Sequence, residues 1–263
     1  MTDSDPDEIM AAVARRGDVL EVVGGDGTRK RDLVASLDIS RSTVDRAVRE
    51  LEGTGLVERT TDGYRRTLAG ELALREYRRF ADHVAGVLEC RPLLAELPPD
   101  TPFDGALVDG CEVVRPTRHS PNRPVTRLTD LVRRARDVRA FGPAVFPQQV
   151  DAYHESIVDR GMEAEILLAE AVVERLVSSY SRALSEALDT GKLAVRVADG
   201  PLPYSLTVAE TADGPAVGLL VYADGGSVSG YLGNDGPEAV RWAEREFERR
   251  WDRGRPLSGI GES

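Results

Sequence analysis

Several residue types and sequence features are scarce or missing, and each shortage narrows the class of protein. Among the 263 residues the only cysteines are Cys90 and Cys111, and no Cys/His cluster has the spacing of a zinc site. The sequence therefore predicts neither a metal site nor a bound cofactor. The two cysteines are interpreted as reduced thiols packed in the interior, with a disulfide or a redox switch as alternatives.

Long apolar runs and catalytic motifs are missing as well. No run approaches the ~20 apolar residues of a membrane helix, and residues 1–10 are too acidic and polar for a signal peptide. The glycine-rich stretches at 24–27 and 224–230 lack the strand, helix and Lys-Ser/Thr pair of a phosphate-binding loop, and no Gly-x-Ser-x-Gly motif occurs. We therefore expect a cytoplasmic protein with no membrane partner and no catalytic residues.

The most informative stretch runs from Thr28 to Tyr64. Within it, Ser40 to Leu51 reads SRSTVDRAVREL, and apolar residues at i, i+3, i+4 and i+7 predict a helix with one buried face. Ser40 stands at the N-cap position, where its hydroxyl accepts a hydrogen bond from a first-turn amide. A shorter helix is predicted over Arg31 to Leu37, and Asp38-Ile39 leaves a tight turn between the two helices.

A basic β-hairpin follows the second helix. Gly53 to Gly55 ends the helix, and short strands at Leu56 to Arg59 and Tyr64 to Thr67 flank an Asp-Gly turn. Helix, turn, capped helix and hairpin in this order predict a winged helix-turn-helix domain, whose second helix enters the major groove of double-stranded DNA. The alternative is a small helical subdomain with a solvated charged face.

The outer face of the second helix and the hairpin supply the predicted DNA contacts. Base contacts are assigned to residues near the start of the helix, namely Ser42, Thr43, Asp45 and Arg46. Phosphate contacts are assigned to the surrounding arginines, namely Arg41, Arg49, Arg59, Arg65 and Arg66. The basic pair Arg29 and Lys30, just before the first helix of the motif, completes the predicted DNA-binding set.

The stretch LVASLDISRSTVDRAVRELEGTGLVERTTDGYRRTLAG (33–70) resembles the winged-helix domain of archaeal transcription regulators of the TrmB/ArsR-like type. The layout of the whole chain resembles haloarchaeal regulators of the TbsP type, which implies a C-terminal sensor domain, control of sugar metabolism and a phosphorylated sugar as effector. The middle domains of TrmB-like regulators resemble phospholipase-D-type folds, whose catalysis needs a His-x-Lys pair. None of His83, His119 and His154 is followed by that lysine, so the catalysis is not expected.

The charge of the chain is unusual for a DNA-binding protein. The formal net charge is −11, and Lys30 and Lys192 are the only lysines, so the basic residues are nearly all arginine. An acidic, arginine-rich surface resembles the proteins of salt-loving archaea, and we interpret the protein as halophilic. In molar salt the Debye length is about 3 Å, so repulsion between the acidic protein and DNA would be screened, and so would phosphate attraction.

The rest of the chain is interpreted as a linker helix and an α/β domain. We expect four parts, namely a winged helix at 1–67, a linker or dimerisation helix at 68–91, a sensor and dimerisation domain at 92–252, and a flexible tail at 253–263. Strands alternate with helices and then follow one another alone, which predicts a mixed sheet in an α+β or α/β fold. Gly105 to Val114 is predicted as a strand pair and Ala171 to Leu188 as one helix.

The candidate effector site lies in loops that follow predicted strands, because open α/β sheets bind ligands beyond the carboxyl ends of their strands. Arginine forks with hydroxyl and amide donors suit a phosphate or a carboxylate. The candidate residues are Arg118, His119, Ser120, Asn122, Arg123, Gly142, Tyr153 and Tyr180. The alternative for each is an exposed polar residue without a ligand.

The combined hypothesis is a homodimeric, sequence-specific transcription regulator whose C-terminal domain senses a small metabolite. A long helix after the wing and an operator with two half-sites favour the dimer. Two alternatives belong to other classes: a winged helix that binds protein, and an enzyme domain fused to a winged helix.

Overall fold

The computed structural model describes residues 5–25 and 27–257. It divides into two compact units, Met1–Asp82 and His83–Ser263. Across the described residues, no helix combines the length and the apolar character needed to cross a membrane.

The first unit contains three helices, a hairpin and the start of a long helix. Its elements are α1 (Pro6–Val22), α2 (Lys30–Leu37), α3 (Arg41–Gly53), β1 (Val57–Thr60), β2 (Gly63–Arg66) and the first part of α4 (Leu68–Leu94). The strands pair antiparallel, with Val57 opposite Arg66 and Thr60 opposite Gly63. This is the predicted winged helix-turn-helix arrangement, and the fold class is confirmed.

The apolar face of α3 forms the centre of the first core. Val44, Ala47, Val48 and Leu51, the residues with helical spacing in the sequence, are all buried. They pack with apolar side chains of α1, α2 and the hairpin, among them Leu20, Leu33 and Tyr64. Burying a side chain of the size of leucine contributes on the order of 1.5–3 kcal/mol, so this stripe fixes α3 against the unit.

The turn between α2 and α3 and the base of the wing both depend on special backbone geometry. Asp38 adopts a left-handed conformation with φ 50°, which aspartate tolerates better than most residues and which reverses the chain between the helices. Thr28 pairs with Tyr64 and so adds a bridge to the hairpin, with N–O distances of 2.7 and 2.9 Å. A Cβ at Gly63 would lie 2.3 Å from the carbonyl oxygen of Thr28, so only glycine permits this approach.

The second unit is built on one sheet. Its elements after α4 are a 3-10 turn (Gly105–Leu107), β3 (Glu112–Val114), α5 (Arg123–Arg134), β4 (Ala135–Gly142), α6 (Pro147–His154), a π-helical turn (Glu155–Asp159), β5 (Glu163–Leu168), α7 (Glu170–Ser179), α8 (Ser181–Asp189), β6 (Leu193–Val197), β7 (Tyr204–Thr211), β8 (Gly214–Tyr222), β9 (Val228–Asn234), α9 (Pro237–Trp251) and β10 (Arg255–Pro256).

In the part of the chain that the structure describes, this sheet has eight strands in the order β10-β6-β5-β4-β7-β8-β9-β3. The strands β6, β5 and β4 are parallel, and β4, β7, β8, β9 and β3 pair antiparallel. The predicted mixed sheet is therefore confirmed. The parallel half corresponds to the region where strands and helices alternate in the sequence, and the antiparallel half to the run of consecutive strands.

Helices cover both faces of the sheet. Alternate side chains of β7 point to the two faces and pack against different helices. Tyr204, Leu206 and Val208 point into the core under α9, where they meet Phe247 and neighbouring apolar residues. The residues between them, Ser205, Thr207 and Ala209, belong to the opposite face, which is covered by α5, α6 and α8. The small polar side chains of β7 thus lie on the face that contains a cavity described below.

The predicted strand pair at Gly105 to Val114 is wrong in its first half. Residues Gly105–Leu107 form a 3-10 turn, capped by the Asp104 side chain, which accepts a hydrogen bond of 2.9 Å from the Ala106 amide. The Nδ2 of Asn234 donates to the carbonyl oxygens of Ala106, Leu107 and Asp109 at 3.3, 3.1 and 2.8 Å. This distant side chain takes the place of a partner strand, so only β3 joins the sheet.

The predicted single helix at Ala171 to Leu188 is interrupted at Tyr180, which has φ −135° and ψ 27°. The Ser178 hydroxyl donates to the Arg175 carbonyl at 3.2 Å, and such local bonds compete with the backbone hydrogen bonds of the helix.

Part of the predicted flexible tail is ordered in the sheet, since β10 pairs with β6. Residues 258–263 lie outside the described part of the chain.

Candidate DNA-contact surface and effector cavity

Hydroxyl groups cluster at the N-terminus of α3. The Ser40 side chain caps the helix by accepting a hydrogen bond of 3.2 Å from the Thr43 amide, as its position predicts. The Ser40 hydroxyl also lies 2.9 Å from the hydroxyls of Ser42 and Thr43. Three short polar side chains therefore stand at the end of the helix where the helix dipole favours negatively charged partners.

Exposed arginines lie before α2, along α3 and on the hairpin. Arg29, Arg41, Arg46, Arg49 and Arg59 are all exposed, and within the described residues none of them forms an ion pair. They come from the loop before α2, from the outer face of α3 and from β1 of the hairpin. An arginine without a protein carboxylate keeps its full fork of donors for a phosphate or a base edge.

Four other predicted DNA residues already have protein partners, namely Lys30, Asp45, Arg65 and Arg66. Lys30 Nζ lies 2.5 Å from Asp45 Oδ1, and this hydrogen bond raises the pKa of Lys30 and lowers that of Asp45. Arg65 Nε donates to Glu58 Oε1 at 2.9 Å across the hairpin. These two contacts remain open to solvent, so DNA could replace them at a modest cost.

Arg66 is held more firmly than the other predicted phosphate contacts. Its Nη1 donates to the Leu20 carbonyl at 3.1 Å, and its Nε pairs with Glu71 at 2.8 Å. Its side chain is 20% exposed. The guanidinium therefore joins α1, the hairpin and α4, which gives it a role in the fold of the unit beside the predicted role at DNA.

The structure separates the candidate effector residues into two groups. Arg118, His119, Ser120 and Asn122 lie in the loop between β3 and α5, Arg123 is the first residue of α5, and all five are exposed. Backbone hydrogen bonds of 3.2 and 3.1 Å between Thr117 and Ser120 close a turn there. The depression beside this turn is also lined by Glu112 and Asp130, whose carboxylates oppose a bound anion.

Gly142, Tyr153 and Tyr180 instead line a cavity of about 100 Å³ inside the second unit. The cavity lies at the carboxyl end of β4, against α6 and α8, with the β7 residues Ser205 and Thr207 on its wall. The sequence predicted the strand-end position of Gly142. It gave no reason to include Ser205 and Thr207, although the polar-apolar alternation of β7 marks them as one face of a strand.

Hydrogen bonds within the protein satisfy most polar atoms near the cavity. The Ser205 hydroxyl lies 2.6 Å from that of Tyr222, and the Tyr153 hydroxyl bonds to Thr207. Burial raises the pKa of Tyr153 and of Tyr222 to about 12. At the rim, His154 Nε2 lies 2.8 Å from Glu186 Oε2.

The winged helix-turn-helix unit and the second α/β unit together define a two-part protein of the kind found among regulators. Residues 121–253 match the family described as methanogenesis regulatory protein FilR1, middle domain, and residues 5–89 match the HVO_A0261 N-terminal domain. The first match covers half of the chain, so the chain belongs to the FilR1 middle-domain family, an archaeal regulator family. None of the curated proteins with which the chain was compared matches it.

Solved structures provide more distant similarities. TrmBL2, an archaeal chromatin protein, is 18% identical with a TM-score of 0.42, over 96% of this chain and 100% of that one. Nuc from Salmonella typhimurium, a phospholipase D family member, is 14% identical with a TM-score of 0.43, over 57% of this chain and 98% of that one. NucT from Helicobacter pylori is 12% identical with a TM-score of 0.42, over 56% and 98%. These similarities are too low to decide function.

Proposed function

We propose that the protein is a sequence-specific DNA-binding transcription regulator, active in the cytoplasm as a homodimer, and not an enzyme. The observation that carries the proposal is the group of exposed, unpaired arginines around the capped N-terminus of α3 and on β1. Membership of an archaeal regulator family supports it. Affinity for DNA comes mainly from cations placed along phosphates, which makes a local cluster more important than the net charge.

The roles within the surface follow from position. Ser42, Thr43 and Arg46 lie in the first two turns of α3, where a recognition helix reaches base edges. Phosphates are suited to the other exposed arginines, which lie before α2, along α3 and on β1, namely Arg29, Arg41, Arg49 and Arg59. The remaining residues can contact DNA only if DNA displaces their protein partners or binds beside them. These residues are Lys30, Asp45, Arg65 and Arg66.

The proposed dimer forms through α4. Phe80, Val84, Val87 and Leu88 are exposed apolar residues with spacings of four, three and one along this helix. Such spacing places them on one face, and a stripe of this kind is typical of a helix that pairs with a second copy. A symmetric pair of recognition helices would read two half-sites of an operator.

The proposed effector is a small molecule bound by the second unit. The family resemblance implies a phosphorylated sugar, and the loop with Arg118 and Arg123 supplies the cations that its phosphate would need. A ligand changes DNA affinity only as far as it binds the DNA-competent and the incompetent states differently. We also propose a halophilic setting, supported by the net charge of −11 and the two lysines.

The test is DNA binding by the full chain, measured by fluorescence anisotropy against a library of genomic fragments over a salt series. Selective binding whose affinity falls with salt is expected. A hexose phosphate added to the selected complex should change that affinity. An absence of selective binding at every salt concentration would overturn the proposal in favour of a protein-binding module, and turnover of a phosphodiester substrate by the full chain would favour an enzyme.

A further inference from the structure

The cavity beside β4 is placed where an effector site is expected, but its chemistry differs from that of a phosphate site. It is lined by residues of the second unit alone and reaches the carboxyl end of β4. Its described lining contains no Asp, Glu, Lys or Arg, and its one imidazole, that of His154, already lies 2.8 Å from the Glu186 carboxylate. Burying a phosphate without a cation is costly, because an unpaired charge loses its hydration.

The walls of the cavity are apolar. Ile166 and Val195 form the floor on the sheet, and Leu176, Leu184 and Ala187 close the side formed by α7 and α8. The hydroxyls that approach the space are already bonded in pairs, Ser205 with Tyr222 and Tyr153 with Thr207. An apolar guest would therefore leave these two hydroxyl pairs intact, and the remaining polar groups of the lining, among them the Gln149 amide and the Tyr180 hydroxyl, could bond to one polar group of a ligand.

The size of the cavity limits the guest. Its volume is about 100 Å³, and an apolar cavity of roughly 150 Å³ in another protein stays dry and binds benzene. Tyr180 lines the space at the break between α7 and α8. The comparison limits the guest to about one ring or a short branched alkyl group.

We propose that this cavity binds a small, uncharged and largely apolar molecule of about one ring, with at most one hydrogen-bonding group. The ligand is thus of a different class from the sugar phosphate considered for the Arg118–Arg123 loop. Binding itself depends only on the cavity, whereas its regulatory consequence rests on the proposed DNA-binding function.

The test measures binding of toluene, phenol and glucose 6-phosphate to the full chain by protein NMR titration without DNA. Toluene and phenol should cause saturable shifts of methyl signals from cavity residues such as Leu184 and Ile166. Glucose 6-phosphate should leave these signals unchanged. Saturable shifts caused by glucose 6-phosphate, or none from toluene and phenol, would overturn the proposal.

Two substitutions on α8 serve as a matched pair. Ala183→Phe places a ring in the cavity and should weaken toluene binding at least tenfold, whereas Ser185→Phe adds the same ring to an exposed position that does not line it. Equal binding by both variants would overturn the proposal. If Ala183→Phe does not fold, Tyr180→Ala gives the opposite test, since the enlarged space should bind indole more tightly than the unmodified protein does; unchanged indole binding would count against the cavity.

The experiments distinguish a failure of the cavity assignment from a failure of the regulator function. If toluene binds and no DNA is selected, the regulator function is wrong and the cavity assignment stands. If DNA is selected and neither aromatic probe binds, the cavity assignment is wrong and the regulator function stands.

Discussion

Lys30 Nζ lies 2.5 Å from Asp45 Oδ1, so a residue at the start of α2 is joined to the outward face of α3. Both residues belong to the predicted DNA-binding set. In the free protein each neutralises the other, and the pKa shifts of the two groups agree in direction, with that of Lys30 raised and that of Asp45 lowered by their hydrogen bond. In the proposed complex the positive charge of Lys30 would therefore be unavailable to phosphates as long as it pairs with Asp45.

Removing the anion should release the cation. We expect Asp45→Asn to bind DNA more tightly and to steepen the plot of log K against log salt concentration by about 0.9, the change for one additional phosphate contact. Asp18→Asn, an equal charge change at an exposed position of α1, is the control. Equal effects of the two substitutions on affinity and on salt slope would show that only net charge matters.

Arg46 and Arg66 should differ in what their loss affects. Arg46 is exposed on α3 without an ion pair among the described residues, so Arg46→Ala should cost about 1–3 kcal/mol of binding and relax base preference if it contacts a guanine. Uniform weakening across operator variants would instead identify a phosphate contact.

Arg66 bonds to the Leu20 carbonyl and to Glu71, so Arg66→Ala should lower the free energy of unfolding by about 1–2 kcal/mol. Urea unfolding of both variants checks the contrast, which fails if Arg46→Ala is the less stable one.

The elements predicted best from the sequence are those whose signal is local. The α3 stripe repeats at helical spacing and Ser40 is an N-cap residue, so both could be read within one short window. The 3-10 turn at Gly105–Leu107 could not, because Asn234, 127 residues from Leu107, supplies the hydrogen bonds that shape it. Long-range partners of this kind leave no trace in local spacing.

The candidate cavity shows the same limit. Gly142 could be predicted because it ends a strand, but the apolar character of the space comes from α6, α7, α8 and β7 together. The stretch from Arg118 to Arg123 was predicted as a ligand site from its residue types. Residue types alone do not distinguish an exposed turn from the wall of a pocket. Which polar residues face one another is decided by sheet order, and sheet order is set by packing along the whole unit.

The apolar stripe on α4 provides a test of the dimer. We expect Leu88→Glu to shift the protein toward monomers in sedimentation analysis, because a buried carboxylate would oppose association. Arg79→Gln makes the same one-unit change in charge at an exposed position of the same helix, about 180° around the axis from Leu88. If both variants sediment with the mass of the unmodified protein, or if both shift equally toward monomers, this face is not the interface.

The two cysteines are placed for a reversible disulfide. Cys90 Sγ and Cys111 Sγ lie 3.2 Å apart as free thiols, so a movement of about 1 Å would give bonding distance. Their hydrogen bond lowers the pKa of Cys111 and raises that of Cys90, and Cys90 is also the more buried residue. We expect iodoacetamide to alkylate Cys111 first, and diamide to oxidise the pair with the loss of two hydrogens from the protein mass. Cys90→Ser is the control for the oxidation. Alkylation of Cys90 before Cys111 would contradict the assignment.

Tyr153 should make the protein less stable at alkaline pH. An unfolded tyrosine has a pKa of about 10, whereas burial of its hydroxyl raises the pKa of Tyr153 to about 12. The neutral phenol is therefore favoured in the folded state, and the stability it confers is complete below about pH 10 and lost as the pH rises toward 12. Over that window the free energy of unfolding should fall by on the order of 1–2 kcal/mol because of this group. Urea unfolding at several pH values should therefore give a shallower decline for Tyr153→Phe, whose ring still fills the cavity wall. Parallel stability curves for the two proteins would show that this hydroxyl is not buried in the folded state.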